Sequence, residues 1–415
     1  MNERYDVVIL GLSVTSSWGN GHATTYRSLI RAMAARGLRV LFLERNAPWY
    51  AGNRDEPHPA GARTEIYEGL DDLIARFECE VATARFVIVG SFVPEGTRAG
   101  EWVLSVARGM TAFYDIDTPV TMANLAAGSR EYISPELIAR YRIYLSFTGG
   151  PLLRYIEKQH GSPMARPLYC SVDPEHYQPV EAPCRWDLGY LGTYSDDRHP
   201  VLEELMLKPA RRWREGRFIV AGPMYPESIR WPVNVDREIH LSPRQHPEFY
   251  GSQRFTLNVT RSAMKVAGYS PSVRLFEAGA CAAPIISDWW DGLDMILQPG
   301  KEILISSNTE DTLRFMRDWP DEKRRALGAA ARSRILAEHT PAHRVEQLEG
   351  YWREANDHSF TYSARRYRRG RQSAGRVDAR VASQLTRQTA SGAAGEPAGK
   401  RTVEGGLHEP TGAGR

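Results

Sequence analysis

Short apolar runs alternate with segments of helical periodicity through residues 1–165. Each run places branched and aromatic residues side by side, which is typical of strands buried on both faces of a parallel sheet. The runs are DVVILGL, LRVLFLE, ARFVIVGS, MTAFYDID and IYLSFTGG. Between the first two, the apolar residues of ATTYRSLIRAMAARG share one helical face, and Gly37 ends the helix. The pattern predicts a doubly wound α/β domain.

A second series of the same kind follows residues 166–185, whose prolines break regular structure and predict a linker. Its strand-like runs are DLGYLGTY, RFIVAGP, RFTLNVT and PIISD. We therefore predict a second Rossmann-like domain over residues 186–340, and over residues 341–357 a C-terminal helix that returns to the first domain. Two such domains face each other across a cleft at the carboxyl ends of their strands, where open α/β sheets bind ligands.

Length and charge agree with two domains and add a separate tail. The chain has 415 residues, of which 42% are hydrophobic, enough for two packed cores. Residues 358–415 carry 11 Lys plus Arg and 4 Asp plus Glu, a net charge of +7, whereas the whole chain carries +3. This segment is rich in Gly, Ala and Ser and lacks apolar periodicity, so we predict a disordered basic tail. We expect this tail to have either no partner or a weak contact with anionic lipid or nucleic acid, and no specific nucleic-acid site.

Cysteines and targeting signals narrow the class of protein. Cys79, Cys170, Cys184 and Cys281 show neither CxxC pairing nor histidines at metal-ligand spacing, so we expect reduced thiols and no zinc site. The start MNERYDVVILGL lacks the features of a signal peptide, and no run approaches the roughly 18 apolar residues of a membrane helix. We expect a soluble cytoplasmic protein, with peripheral membrane contact through the tail as an alternative.

The segment SVRLFEAGACAAPIIS places an acid on an apolar helix face. An unpaired carboxylate at Glu277 would be costly there, because its helical neighbours are apolar or small. We expect Ser270 to cap this helix with Pro271 at its first position, so that its free N–H groups point into the cleft and favour a phosphate. Two explanations of Glu277 stay open: it binds sugar hydroxyls of a ligand, or it gains from the helix dipole or an ion pair with Arg274.

These segments resemble a known family. RLFEAGACAAPIISD is similar to the donor-site segment of GT-B glycosyltransferases, in which a Glu before small residues, a Pro and a strand contacts the ribose of a nucleotide sugar. CSVDPEHYQP resembles the Val-Asp-Pro linker segment of those enzymes, and DLGYLGTYSDDRHPVLEEL their first donor-domain strand and loop. RFIVAGP and WWDGLDMILQPGKEILI fall where the family has its glycine strand and its domain-closing loop. Within the group 1 glycosyl transferases, the closest likeness is to CgeB-like enzymes.

The resemblance, which covers about residues 165–340 well and the first domain more loosely, implies a nucleotide-diphosphate-sugar donor bound by the second domain, with Glu277 on the ribose. The other donor-binding positions that it implies are Gly192, Thr193, Arg198, Gly222, Ser272 and Arg274. Thr193 departs from the family's usual Arg, and Tyr269 stands where many retaining members have a second Glu. We expect no metal and no cofactor, because fixed cations and backbone dipoles stabilise the leaving diphosphate.

The first domain supplies the expected acceptor site. His22, in SVTSSWGNGHATTYRSL, resembles a histidine that activates the acceptor hydroxyl in some GT-B enzymes, and imidazole accepts protons near neutral pH. The alternative is a helix-capping histidine without chemistry. In YDIDTP, two aspartates end a strand, where acceptor contact or strand-end capping is favoured over metal binding. The acceptor-binding positions that we predict are Gly19, Asn20, Gly21, Asp115 and Asp117.

Together with these features, the resemblance implies a metal-independent glycosyltransferase whose acceptor is a glycan, a lipid or a small molecule. The donor-domain resemblance favours retention of the anomeric configuration, and inversion stays open because Tyr269 replaces the second Glu. Three alternatives stay open: a nucleotide-sugar epimerase of the same fold, a binding protein that has lost turnover, and a nicotinamide dehydrogenase. The last rests on GNGHAT with Glu44 at the end of the second strand, a partial match to a dinucleotide fingerprint in which Thr24 replaces the third Gly.

Overall fold

The computed structural model of the chain describes residues 4–18 and 21–357, and it contains two parallel α/β domains, as the sequence predicts. The strands of the first domain are β1 Val7–Gly11, β2 Val40–Arg45, β3 Arg63–Tyr67, β4 Phe86–Gly90, β5 Met110–Asp115, β6 Ile143–Ser146 and β7 Ala165–Pro167. They form one sheet in the order β3-β2-β1-β4-β5-β6-β7, and every pairing is parallel. The order reverses beside β1, which is the topological switch point of a doubly wound sheet.

The second domain repeats this design. Its strands are β8 Trp186–Leu191, β9 Phe218–Ala221, β10 Val235–Glu238, β11 Gln253–Asn258, β12 Ile285–Ser287 and β13 Leu304–Ile305. They form a six-stranded parallel sheet in the order β10-β9-β8-β11-β12-β13. Its switch point lies beside β8, so the loops after β8 and β11 border the expected ligand site.

Helices cover both faces of each sheet. In the first domain they are α1 His22–Ala35, α2 Pro48–Ala51, α3 Leu70–Thr83, α4 Gly96–Val106, α5 Thr118–Ala126, α6 Pro135–Ile138 and α7 Pro151–Gln159. The later helices are α8 His199–Leu202, α9 Lys208–Arg212, α10 His246–Gly251, α11 Ser262–Ala267, α12 Val273–Ala280, α13 Thr309–Asp318, α14 Asp321–Glu338 and α15 Pro341–Asp357. A π-helical segment, Glu203–Leu207, joins α8 to α9, and short 3-10 turns occupy Pro243–Gln245 and Leu293–Met295.

The apolar face predicted for α1 is confirmed. Its four large apolar residues are all buried, and Gly37 follows the helix with a φ of +78°, a left-handed conformation that glycine adopts at little cost. They are Tyr26, Leu29, Ile30 and Met33. The last helix, α15, packs against α1. None of the described helices is long and apolar enough to cross a membrane, and all four cysteines are free.

The linker is fastened to α1. The hydroxyl of Ser28 donates to the carbonyl oxygen of Ser171 at 3.1 Å, and Arg31 forms an ion pair with Asp173 at 2.9 Å. Because both partners lie on consecutive turns of α1, this part of the linker moves with the first domain.

The predicted start of the helix that carries Glu277 is wrong. The helix begins at Val273, with Ser272 as its N-cap, two residues later than expected. The Ser270 hydroxyl, which the predicted cap requires, is instead hydrogen-bonded to the hydroxyl of Thr148 in the first domain at 2.8 Å. The predicted disordered tail, residues 358–415, lies outside the described residues.

Candidate active site

Loops that follow the carboxyl ends of the strands meet between the two domains. Thr148, just after β6, and Ser270, just before α12, make the contact described above. A Cβ atom on Gly21, which precedes α1, would lie 3.8 Å from Val273 at the start of α12. The N-termini of these two helices therefore border one cleft.

Glu277 is a buried carboxylate on the second-domain side of this cleft, 4% exposed. The hydroxyl of Tyr177, from the linker, donates to its Oε1, and the hydroxyl of Tyr250, from α10, donates to its Oε2, both at 3.1 Å. Nδ1 of His246 lies 3.8 Å from Oε1, beyond hydrogen-bond length but within ion-pair range. Burial raises the pKa of Glu277, but His246 and the two tyrosine hydroxyls lower it by more, so the net shift is downward. Glu277 is therefore ionised at neutral pH.

The ion pair considered for Glu277 is not formed, because Arg274 is directed elsewhere. Nε of Arg274 donates to the carbonyl oxygen of Leu191 at 2.5 Å, and Nη1 donates to Oδ1 of Asn258 at 2.8 Å. The hydroxyl of Ser272 donates to the same oxygen at 2.8 Å. Arg274 thus ties α12 to the carboxyl ends of β8 and β11, and its positive charge lies where a donor phosphate is expected.

The loop after β8 is shaped by two glycines. Gly222 has a φ of +140°, and a Cβ atom there would collide with the carbonyl oxygen of Gly192, so the two backbones approach as only glycine permits. Nη2 of Arg198 donates to the carbonyl oxygen of Thr193 at 2.7 Å, and its Nε donates to the hydroxyl of Ser195 at 3.2 Å. Four predicted donor-site residues are therefore gathered in one loop cluster: Gly192, Thr193, Arg198 and Gly222.

Tyr269 joins the domains at the position of the family's second Glu. Its φ is +49°, a strained conformation for a residue other than glycine. A side chain on Gly150 of the first domain or on Gly292 of the second would collide with its ring. Its carbonyl oxygen also accepts a hydrogen bond from the Gly149 N–H at 2.8 Å. An aromatic contact between the domains therefore replaces a carboxylate here.

On the first-domain side, His22 is buried beside Asp117. Nε2 of His22 lies 3.2 Å from Oδ2 of Asp117, while its Nδ1 is buried and has no hydrogen-bond partner among the described residues. With its proton on Nε2, the imidazole donates to Asp117 and keeps a free lone pair on Nδ1. Burial raises the pKa of Asp117, but the hydrogen bond and charge of His22, and the charge of Arg261, lower it by more. The pair has the base and orienting carboxylate that general-base catalysis uses.

The helix-capping alternative for His22 is wrong, because α1 has Gly21 as its N-cap, without a side-chain cap. The predicted acceptor residues Gly19 and Asn20 lie outside the described residues.

Asp115 lies beneath this surface, fully buried. Its carboxylate accepts hydrogen bonds from the hydroxyls of Tyr144 and Thr121, the latter at 2.7 Å, and from the Asp117 N–H at 3.3 Å. Burial raises the pKa of Asp115 to about 6, although the two hydroxyls lower it. Direct acceptor contact would require Asp115 to give up these bonds, so its place in the structure is that of a strand-end cap that orients Asp117.

Glu44 is not available to bind a ribose. Its Oε2 accepts hydrogen bonds from the backbone N–H groups of Val14 at 2.6 Å and Thr15 at 2.9 Å, and its Oε1 accepts from the hydroxyls of Thr15 at 2.6 Å and Ser13 at 3.2 Å. These four bonds hold the loop after β1. The hypothesis of a dinucleotide-binding dehydrogenase therefore lacks the acidic residue that would bind the ribose.

Sequence reasoning missed three residues at this cleft. Tyr177 and Tyr250 contact Glu277 from distant parts of the chain, and no local pattern connects them. Arg261 follows the carboxyl end of β11. Ligand-binding loops of parallel sheets begin at such positions, so its place in the sequence could have indicated a role at the cleft. Within residues 4–18 and 21–357, no three His, Cys, Asp or Glu side chains cluster as metal ligands do.

Comparison with known proteins places this geometry in a fold family. Residues 198–350 match a family model described as glycosyl transferase-like, and no curated protein sequence matches the chain. The chain is similar to sucrose-phosphate synthase (tll1590) from Thermosynechococcus elongatus, with a TM-score of 0.61 and 14% identity. It is also similar to Anabaena Alr3699/HepE in complex with UDP and glucose, with a TM-score of 0.61 and 11% identity.

A third similar structure is an alpha-glucosyltransferase in complex with UDP-glucose and DNA containing an abasic site, with a TM-score of 0.63 and 10% identity. Each of these three alignments covers 85% of this chain and 100% of the other. At such identities the likeness concerns the fold, which is the two-domain α/β fold of GT-B glycosyltransferases.

Proposed function

We propose that this chain is a glycosyltransferase that moves a sugar from a nucleotide-diphosphate-sugar donor to an acceptor bound by the first domain. The observation that carries the proposal is the pair of sites on the two sides of one cleft: an ionised, buried Glu277 in the second domain and the His22–Asp117 pair in the first. The glycosyl transferase-like match over residues 198–350, and similar structures solved with UDP or UDP-glucose, support it. Membership of the CgeB-like branch is part of the proposal.

Glu277 holds the ribose of the donor in this proposal. A carboxylate has about four acceptor positions, and Tyr177 and Tyr250 use one each, so two adjacent ribose hydroxyls find acceptors on the remaining lone pairs. In this proposal the diphosphate lies beside the loop cluster of Gly192, Thr193 and Gly222, whose backbones pack closely together at the carboxyl end of β8. Arg198, Arg274 and the N-terminus of α12, with Ser272, face the same end of the sheet.

Transfer breaks the bond between the sugar's anomeric carbon and the diphosphate oxygen, and negative charge develops on the diphosphate. Fixed cations and backbone N–H groups stabilise that charge without an obligatory metal. His22 accepts the proton of the attacking hydroxyl, and Asp117 orients the imidazole and stabilises its charged form. We propose that the anomeric configuration is retained, on the strength of the donor-domain resemblance; the anomer of the product, read by NMR, tests this directly.

The donor site is tested by thermal shift with UDP, GDP, ADP and dTDP and their sugar conjugates. We expect at least one nucleotide to raise the unfolding temperature of the wild type, and Glu277→Gln to weaken its binding about tenfold or more. Glu302→Gln is the matched control, because Glu302 is another buried carboxylate but pairs with Arg334 of α14. The site assignment is wrong if no nucleotide binds, or if Glu277→Gln binds as well as the control.

Turnover separates the proposal from its alternatives. Incubation with nucleotide sugar alone yields free nucleotide and free sugar by slow transfer to water in a glycosyltransferase, whereas a nucleotide-sugar epimerase yields an isomeric nucleotide sugar. We expect His22→Ala to lower nucleotide release about 10²-fold or more while nucleotide affinity is kept. Tight binding with neither release nor conversion would favour the inactive binding protein, to which Thr193 and Tyr269 would then point.

A further inference from the structure

Arg261 lies between the first domain and the loop after β8, which is termed the donor loop. It is the N-cap of α11, three residues after the end of β11 at Asn258, and α11 packs against α5, the helix that follows Asp117. Its neighbour Ser262 donates through its N–H to Oδ2 of Asp197 at 2.8 Å and through its hydroxyl to the Asp197 carbonyl oxygen at 3.3 Å. Arg261 is thereby anchored to the loop that also carries Arg198.

The guanidinium of Arg261 has unused hydrogen-bonding capacity. Its Nε is buried and has no hydrogen-bond partner within the described ranges. The two carboxylates that the charge of Arg261 influences already have hydrogen-bond partners. Asp117 is bonded to His22, and Asp197 accepts from the hydroxyl of Ser195 and the N–H of Ser262. A buried N–H without a partner is destabilising and rare in folded proteins, so such a donor indicates a ligand position rather than a structural bond.

The charge of Arg261 reaches both sides of the cleft. Burial raises the pKa of Asp117 in the first domain and the pKa of Asp197 in the second. Hydrogen bonds and the positive charge of Arg261 lower both pKa values by more, so the net shift of each is downward. One cation therefore influences the acceptor side and the donor loop together, which is where a diphosphate lies when its sugar points at the acceptor.

The other cations near the donor loop are largely committed to the protein. Arg198 uses Nε and Nη2 on Ser195 and Thr193, and Arg274 uses Nε and Nη1 on Leu191 and Asn258, so each has already given two of its three nitrogens to internal bonds. Arg261 adjoins the same loop, and its Nε has no hydrogen-bond partner within the described ranges.

We propose that Arg261 binds the β-phosphate of the nucleotide-diphosphate donor. This deepens the proposed function and rests on it. The guanidinium offers a planar fork that matches two phosphate oxygens, and it stabilises the negative charge that the leaving diphosphate gains in transfer.

The test compares nucleoside diphosphates with monophosphates, using the full chain and isothermal titration calorimetry. The probes are UDP and UMP, and the matching GDP, ADP and dTDP pairs if the base is not uracil. We expect Arg261→Gln to weaken diphosphate binding about 10- to 100-fold and to change monophosphate binding less than about threefold. Arg261→Lys keeps the charge but loses the fork, and we expect an intermediate loss.

Arg254→Gln is the matched control, because Arg254 lies at the opposite end of β11 and pairs with Asp187 and Asp321. We expect its diphosphate-to-monophosphate ratio to equal that of the wild type. If Arg261→Gln does not fold, Arg261→Lys carries the comparison, with an expected fall in that ratio of about three- to tenfold.

The outcomes separate the two proposals. A wild type that binds none of the four diphosphates contradicts the proposed function itself. A wild type that binds, with an Arg261 variant that keeps the wild-type ratio, overturns the role of Arg261 alone. Equal losses for diphosphate and monophosphate also overturn it, because they show that Arg261 shapes the cleft and does not contact the β-phosphate.

Discussion

Glu44 and Glu277 are both buried glutamates close to the cleft, one in each domain, yet their surroundings differ. Glu44 accepts four hydrogen bonds from residues 13–15, two of them from backbone N–H groups. Glu277 accepts two, both from tyrosine hydroxyls, and has an imidazole at 3.8 Å. The first carboxylate is saturated by its own loop, whereas the second keeps acceptor capacity. Burial alone does not identify a ligand-binding acid; the number and origin of its donors do.

Asp115 resembles Glu44 in this respect. Two hydroxyls and a backbone N–H satisfy its carboxylate, and it holds the turn that presents Asp117. The first domain thus uses buried acids to shape its loops. In the second domain, arginines hold the loops by donating to backbone carbonyl oxygens, as Arg198 and Arg274 do. The carboxylate of Glu277, by comparison, keeps part of its hydrogen-bond acceptor capacity.

The largest expected effect is on stability at Glu44. Glu44→Gln removes the charge that holds two backbone N–H groups and two hydroxyls, and its amide NH₂ faces some of the same donors. We expect a loss of about 2–4 kcal/mol in the free energy of unfolding, measured by urea denaturation, with nucleotide affinity of the folded protein unchanged. A variant as stable as the wild type would mean that Glu44 is not the anchor of this loop.

The pH dependence of stability should separate Asp115 from Glu277. The folded-state pKa of Asp115 is raised to about 6, so the folded protein gains stability from this group as the pH falls from about 6 to 4. We expect the stability of the wild type relative to Asp115→Asn to rise by on the order of 2 kcal/mol over this window. Glu277 has a lowered pKa, and its contribution, present above about pH 4, is lost on further acidification.

The stability of the wild type relative to Glu277→Gln should therefore fall on acidification, and this fall should begin only below about pH 4. Denaturant titrations at a series of pH values measure both curves. Curves of the same sign for the two residues would contradict the contrast between them.

Glu277→Gln should reverse the pattern of Glu44→Gln. The amide still meets the two tyrosine hydroxyls, so we expect unfolding to change by at most about 1 kcal/mol, while nucleotide affinity falls about tenfold, or about 1.4 kcal/mol. Calorimetric titration and urea denaturation of the same preparation give both numbers. A large stability loss without loss of affinity would place Glu277 in the same structural class as Glu44.

The smallest effect is expected at the tyrosines. Tyr250→Phe removes one hydroxyl from Glu277 and keeps the ring, and we expect a stability loss of about 0.5–1.5 kcal/mol at pH 7. Because one stabilising hydrogen bond to the carboxylate is gone, the pKa of Glu277 should rise, and the acid limb of the stability curve should move to higher pH. An unchanged acid limb would show that the hydroxyl does not act on this carboxylate.

The strongly hydrophobic strands were predictable, and the polar or short ones were not. β1, β2, β4 and β5 are almost wholly buried, and their sequences are continuous apolar runs. β3, with the sequence RTEIY, and β10, with VDRE, lie at sheet edges with exposed polar residues. β7 has only three residues and contains a proline. Their pairing comes from the neighbouring strand rather than from their own composition.

The candidate site was predictable in its residues and not in its bonds. The small-residue run after Glu277 indicated a buried helix face, and that burial is confirmed. The donors to Glu277 lie 100 and 27 residues away, and the Ser270 hydroxyl, expected to cap α12, is bonded to Thr148 in the other domain. Such contacts are set by how the domains pack, which local periodicity does not encode.

Under the proposed function, the linker has a consequence for how donor and acceptor influence each other. Asp173 is bound to Arg31 on α1, the helix that begins at His22, and four residues later Tyr177 is bound to Glu277. A rotation of one domain that moves Arg31 away from Glu277 strains the short segment between these two bonds. Under the proposed function, binding of a donor or acceptor that favours one such rotation would change the affinity for the other, and reciprocity requires the two changes to be equal in free energy.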